Sequence, residues 1–146
     1  YLILFSSDLE FKVKENINMN KLIIDAAGKK IFLMLITEDN TYNITHDNSK
    51  SNYEMLTILI NNFLFSKNIT LKNINKIYVN RGPGSFAGIR NSLSIVKAFN
   101  LVKHIDYYCY SLNDFKDEKN FNYTDISSLC DRFNIKKNLI KPIYIS

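Results

Sequence analysis

Residues 81–90 read Arg81-Gly82-Pro83-Gly84-Ser85-Phe86-Ala87-Gly88-Ile89-Arg90, and this stretch decides how the rest of the chain is read. The protein has 146 residues with only four Gly, two Pro and three Arg, yet this window holds three of the Gly, one Pro and two of the Arg. Compositional drift does not produce such concentration. Gly82 and Gly84 permit backbone angles closed to other residues, Pro83 stiffens the turn between them, and Ser85 is placed to cap a following helix. Gly88, in the first turn of that helix, admits a neighbouring backbone. The window is therefore a strand-to-helix loop, with the apolar run Ile77-Tyr78-Val79 before it and a helix from about Phe86 to Val102 after it. Free N–H groups at a helix N-terminus, flanked by Arg81 and Arg90, also suit a phosphate. The pattern is neither a Walker loop nor a full GxGxxG, so anion cradle and strand-to-helix punctuation both stay open on the residues alone.

Towards the N-terminus, Leu22–Ala26 is a short apolar run, Gly28-Lys29-Lys30 a turn and Ile31–Thr37 a second run, which together predict a hairpin. Glu38-Asp39-Asn40 turns the chain into Thr41–His46, where Tyr42 and Ile44 alternate with polar residues as on an edge strand. After the polar stretch Asp47–Asn52 the period becomes helical. Tyr53, Leu56, Ile60, Phe63 and Leu64 share one face, widened by Met55 and Leu59 to about half the circumference. Beyond the loop and its helix, Tyr107–Leu112 is strand-like, Asn113–Asp125 is polar, Ile126–Phe133 suits one short helix, and Lys141–Ser146 ends in an extended Pro142-Ile143-Tyr144-Ile145.

The element order is βββαβαβ. A strand, a crossover helix and a further strand make a right-handed parallel unit, attached here to an antiparallel meander. The expected fold class is α/β: a mixed five-stranded sheet with helices, the lobe architecture of ribonuclease H-like and actin-like ATPase (ASKHA) proteins. Residues 1–18 are expected to be an N-terminal extension ahead of a start at Met19, 19–112 the lobe, and 113–146 a shortened remnant of a second lobe with a C-terminal strand.

Length and composition narrow the function. The longest apolar run, Ile31–Ile36, is far short of the roughly 20 residues that span a bilayer, and Tyr1–Phe5 follows no basic segment. A soluble cytoplasmic protein without membrane contact is expected. Cys109 and Cys130 form no CxxC pair and read as reduced structural thiols. The net charge of +5 rests on 16 Lys against 3 Arg, scattered apart from Lys29-Lys30 and Lys136-Lys137, so no phosphate-binding stripe is visible. His46 and His104 fit no metal-ligand spacing, and no metal is expected. Asp25 ends the first strand, where ribonuclease H-like nucleases and actin-like kinases place a metal- or phosphate-facing carboxylate. No acid occurs at Ile77–Asn80 or Tyr107–Leu112 to join it, so Asp25 is read as a relic of the fold or a turn-former. No Ser-His-Asp or zinc constellation is present.

Taken with its flanks, Arg81-Gly82-Pro83-Gly84-Ser85-Phe86 followed by Gly88-Ile89-Arg90 resembles the most specific motif of the TsaB family, formerly YeaZ, which reads RGPGSFTGVR or near it. Leu22-Ile23-Ile24-Asp25-Ala26-Ala27 resembles that family's opening strand, Tyr53-Glu54-Met55-Leu56 the start of its first helix, Ser92–Tyr110 its second helix and following strand, and Lys141–Ile145 its closing segment. The chain departs at Ala26, where the family has Thr or Ser, at Asn52, where a His often opens the first helix, and in lacking most of a second lobe. The resemblance implies an actin-like-fold subunit without catalytic residues. Such subunits pair with the catalytic subunit TsaD, alongside the ATPase TsaE, to place threonylcarbamoyl on adenosine 37 of tRNAs reading ANN codons. It also implies that tRNA is contacted only through the complex, that ATP or ADP binds only at an interface with TsaD and no other cofactor is needed, and that homodimers are an option.

The helices carry the expected partner interface: Tyr53, Met55, Leu56, Leu59, Ile60 and Phe63 on the first, and Phe86, Ile89, Leu93 and Val96 on the second. On the second helix, Ile95, Phe99 and Val102 read as another apolar stripe roughly opposite, so that the helix needs two neighbours, one of them the sheet. Two other functions compete: a stand-alone nucleotide-binding ASKHA enzyme using Ser85, the loop N–H groups and Arg90, and a ribonuclease H-like nuclease built on Asp25.

Overall fold

The apolar runs pair into one five-stranded sheet in the order β3-β2-β1-β4-β5. The computed structural model describes residues 20–116, 118, 120 and 122–144, and the expected N-terminal extension lies outside them. β1 (Lys21–Asp25), β2 (Lys30–Ile36) and β3 (Thr41–Asp47) form the antiparallel meander, while β4 (Lys76–Asn80) pairs in parallel with β1 and β5 (Asp106–Tyr110) in parallel with β4. Helices α1 (Lys50–Glu54) and α2 (Leu56–Ser66) lead into β4, and α3 (Phe86–Lys103) leads into β5. This is the ribonuclease H-like, actin-like arrangement expected from the βββαβαβ order.

Alternation along the central strands divides the interior in two. Leu22, Ile24, Ile77, Val79 and Tyr107 face α1–α3, where they meet Tyr53, Leu56, Ile60, Phe63, Ile89, Leu93 and Val96. Ile23, Met34, Tyr78 and Tyr110 face the other way. There they meet Phe115 and the buried residues Ile126, Leu129 and Cys130 of a fourth helix, α4 (Ile126–Arg132). Both faces of β1 and β4 are covered, which is why those runs are continuously apolar rather than alternating. Residues of the 113–146 segment thus supply the second layer of the first lobe. Burial of Ile126 and Leu129 contributes about 2 kcal/mol each. The polar seat is Ser127, whose Oγ accepts from Lys21 Nζ at 2.8 Å and lies 3.0 Å from Tyr78 Oη.

Three expectations change. The first helix is not continuous, because Met55 (φ −98°, ψ 11°) separates α1 from α2. On α3 the two stripes merge: Phe99 is buried together with Ile89, Leu93 and Val96, whereas Val102 is exposed. Gly88 and Ser92, small or polar, are buried between them and widen the apolar arc. Lys141–Tyr144 is not a strand of the sheet. It makes one backbone bond to the loop, from Ile143 N–H to Arg81 O at 2.7 Å, and Pro142 has no N–H to extend a ladder. Among the described residues no helix is long and apolar enough to cross a membrane.

Candidate functional site

In open α/β sheets, ligands bind outside the carboxyl ends of the parallel strands. Here those ends are Asp25, Asn80 and Tyr110, and the loop at 81–90 rises from the middle one. Three N–H groups along the start of the loop find partners within the protein. Arg81 N–H donates to Tyr110 O at 2.7 Å, Gly82 N–H to Asn80 Oδ1 at 2.8 Å, and Ser85 N–H to Ala27 O at 2.9 Å. Ser85 caps α3 as expected: its Oγ accepts from Gly88 N–H at 3.3 Å and lies 2.9 Å from Tyr53 Oη, which fixes α1 beside α3.

The glycines have structural reasons. Gly82 has φ +107° after Asn80-Arg81 and precedes a cis peptide to Pro83, and a Cβ there would strike Ile143 O. A Cβ on Gly88 would strike Ala26 O, and one on Gly84 would strike Ala27 O. The loop is thereby pressed onto the backbone that follows β1. The conformation of the loop, together with the N–H groups of Arg81, Gly82, Ser85 and Gly88, is committed to this packing.

The two arginines part company. Arg81 is mostly buried and forked onto Asp114, with Nη2 2.7 Å from Oδ1 and Nε 3.4 Å from Oδ2, while Nη1 donates to Lys141 O at 3.0 Å. It ties together the loop, the turn after β5 and the tail. Arg90 is exposed, and none of the ion pairs among the described residues includes it. Phe86 is also exposed, its ring 4.7 Å from that of Tyr144.

Asp25 is buried, and both of its carboxylate oxygens are engaged. Oδ1 accepts from Ala27 N–H at 3.1 Å, the geometry of a turn-former, and Oδ2 accepts from Tyr123 Oη at 2.7 Å. Tyr123 also stacks on Phe32, with centroids 4.2 Å apart. Burial, reinforced by the charge of Asp25, pushes the Tyr123 hydroxyl well above its usual range, so it remains a donor at neutral pH. Tyr110, fully buried beside them, is likewise held protonated by burial and by Asp25, and its hydroxyl has no hydrogen-bond partner among the described residues. Replacing Tyr123 with Phe is expected to cost about 2 kcal/mol, the worth of a hydrogen bond to a buried carboxylate, read as a lowered urea midpoint at unchanged slope.

Tyr123 and Asp114 were not among the residues singled out from sequence, and the short helix expected at Ile126–Phe133 forms as α4 but was given no place in the packing. Only Asp114 carried a signal, the Ser111-x-x-Asp114 capping pattern, in which Ser111 N–H donates to Asp114 Oδ2 at 2.8 Å. Both cysteines are free and buried, and burial pushes each thiol up to about 12, which leaves neither nucleophilic at neutral pH. Among the described residues no group of three or more His, Cys, Asp or Glu side chains is placed to hold a metal ion.

Of the helical residues expected at a partner interface, Tyr53, Leu56, Ile60, Phe63, Ile89, Leu93 and Val96 lie in the chain's own core. Leu59 is half-buried, and Met55 and Phe86 are exposed. The outward stripe of α2 instead carries Ile58 and Phe65, which are 51% and 76% exposed, and that of α3 carries Leu101, 67% exposed. Beside Leu101, α3 also presents the small exposed side chains Ala87, Ser94 and Ala98, together with the exposed Arg90 and Lys97.

No protein-family model matches the chain. The tRNA threonylcarbamoyladenosine biosynthesis protein TsaB of Buchnera aphidicola subsp. Baizongia pistaciae (strain Bp) is 28% identical over 80 residues, which cover 55% of this chain and 36% of that protein. YeaZ from Pseudomonas aeruginosa superposes with a TM-score of 0.60 at 18% identity, over 66% of this chain and 46% of its own. A second solved structure, of an uncharacterized protein with similarity to peptidase YeaZ from Pseudomonas aeruginosa, gives the same TM-score and identity and covers 45% of its chain. The chain spans about a third of the curated relative and under half of each solved structure.

Proposed function

The chain belongs to the TsaB (YeaZ) family, and from that premise we propose that it is a non-catalytic scaffold subunit in formation of N6-threonylcarbamoyladenosine at position 37 of tRNAs reading ANN codons. Its direct partner in this reading is TsaD, with TsaE in the same assembly and tRNA contacted only through the complex. The observation that carries the scaffold role is the state of the crevice at the strand ends. Asp25 is bonded at both oxygens by the chain itself, and the Arg81 fork holds Asp114 and Lys141. The carboxylate and the guanidinium that a nucleotide or a metal would use there are turned inward, which favours a binding role over the stand-alone nucleotide enzyme and the nuclease.

The partner surface proposed is the outward side of α2 and α3. Both helices run from the carboxyl end of the sheet to its amino end on one face, so their exposed stripes lie side by side. Ile58 and Phe65 are seven residues apart, two helical turns, and stand on one stripe. The small residues on α3 let a partner helix approach closely beside them.

Deleting the gene is expected to abolish threonylcarbamoyladenosine in ANN-reading tRNA, measured by mass spectrometry of digested tRNA. The wild-type chain restores it, and the Ile58→Asp/Phe65→Asp variant does not, although these surface changes shift stability by only about 0.5 kcal/mol each. Full modification in the deletion strain would remove the proposal.

A further inference from the structure

The two edges of the sheet are treated differently. The outer edge of β5 is covered: Asn138 N–H donates to Tyr107 O at 2.8 Å, Tyr107 N–H donates to Asn138 Oδ1 at 3.0 Å, and Lys137 bridges Tyr108. β3 is the other edge, and among the described residues no backbone outside β2 pairs with it, save that Asp47 O accepts from Ser49 N–H and Asn52 Nδ2. The turn shows which of its groups face out. Thr37 N–H donates to Asn40 O at 2.8 Å, which makes residues 37 and 40 a hydrogen-bonded pair. The alternation of an antiparallel ladder then makes Leu35–Tyr42, Leu33–Ile44 and Ile31–His46 the bonded pairs. The N–H and C=O of Thr41, Asn43 and Thr45, and the N–H of Asp47, therefore point away from the sheet. A row of such groups is a template for another strand.

We propose that β3 is a self-association edge, at which two copies of this chain pair antiparallel about a two-fold axis at Ile44 and join their sheets into one. In that register Thr41 stands opposite Asp47 of the second copy and Asn43 opposite Thr45, so each outward-pointing residue meets another. On one face Ile44, which is 36% exposed, meets its own copy, and Tyr42 meets His46. On the other face only Thr, Asn and Asp meet, with no like charges opposed. A slip of one residue sets outward groups against inward ones and mixes the two faces.

Charge argues for a second copy rather than an unrelated peptide. β3 begins at the exposed acidic turn Glu38-Asp39 and ends at Asp47 beside the exposed basic pair Lys29-Lys30. Antiparallel pairing brings the acidic turn of each copy to within about 10 Å of the basic turn of the other, two strand spacings away, at both ends of the interface. The pairing does not rest on the proposed function and leaves the outward side of α2 and α3 free.

Sedimentation equilibrium on the full chain, with amide hydrogen exchange on the same samples, tests this. The mass is expected to double between about 1 μM and about 1 mM, with exchange at Thr41, Asn43, Thr45 and Asp47 slowing at least about tenfold as it does. Thr45→Pro removes an N–H that bonds nothing within one copy, so the chain stays folded and monomeric. Asn43→Lys/Thr45→Lys, which opposes like charges without touching the backbone, also weakens the dimer at least about tenfold. A monomer mass throughout, a dimer that both variants leave intact, or slow edge exchange at monomer mass would each overturn the proposal.

Discussion

Alanine at position 88 is expected to destabilise the protein by about 3 kcal/mol, a large share of the total stability of a domain this size. The added Cβ meets Ala26 O and lies 3.0 Å from the Tyr53 ring. Ala26 follows β1 at the centre of the sheet, so its carbonyl cannot withdraw without breaking the register with β2 and β4. Tyr53 is held in turn by its bond to Ser85. The accommodation left is for α3 to lift from the sheet and uncover Ile89, Leu93 and Val96. Gly28 is the control, since a Cβ there has nothing within 4 Å and no left-handed φ, so Gly28→Ala is expected to be neutral or slightly stabilising. Urea midpoints of the two variants measure the contrast directly.

The second large effect is at Arg81. Its side chain and that of Asp114 are only 16% and 20% exposed, so removing the guanidinium leaves a carboxylate mostly out of water, with Ser111 N–H the one bond still made to it among the described residues. Arg81→Ala is expected to cost about 3 kcal/mol, as for other pairs shielded from solvent. Arg81→Lys restores little, because an ammonium cannot repeat the two-pronged contact with Asp114 while also reaching Lys141 O. The loss should have a local signature. Lys141–Tyr144 is held by Arg81 through its backbone and its side chain, so Ile143 N–H is expected to exchange with solvent far faster in Arg81→Ala than in wild type, in hydrogen exchange followed by NMR.

Much of the fold was legible because the information is local. Short apolar runs bounded by Gly, Asp and Asn marked the strands, and the cluster of glycines at 82–88 marked the joint between β4 and α3. What stayed hidden depends on contacts distant in sequence. The Arg81–Asp114 fork spans 33 positions and the Tyr123–Asp25 bond spans 98, and nothing in the intervening residues announces either. The docking of α4 on the second face was equally silent, since Ile126, Leu129 and Cys130 fit any short amphipathic helix.

The two-stripe reading of α3 failed for a different reason. Counting only apolar side chains split one wide arc in two, because Gly88 and Ser92 in its middle are buried without being large and apolar. Ser92 is satisfied there by donating to Ile89 O at 3.1 Å. The same bias placed the interface on residues that the chain needs for its own core, while Ile58, Phe65 and Leu101, off the periodic stripe, are the ones left outside.

The account turns on whether the outward side of α2 and α3 binds TsaD, and the direct measurement is sedimentation velocity of this chain mixed with TsaD from the same organism. At about 10 μM of each, well above a submicromolar Kd, a single faster-moving complex containing both chains is expected. Ile58→Asp/Phe65→Asp, folded by its own melting curve, is expected to lose at least about 2.7 kcal/mol of binding, a hundredfold. Separate boundaries for the two wild-type proteins, or a complex that the double variant leaves intact, would contradict it.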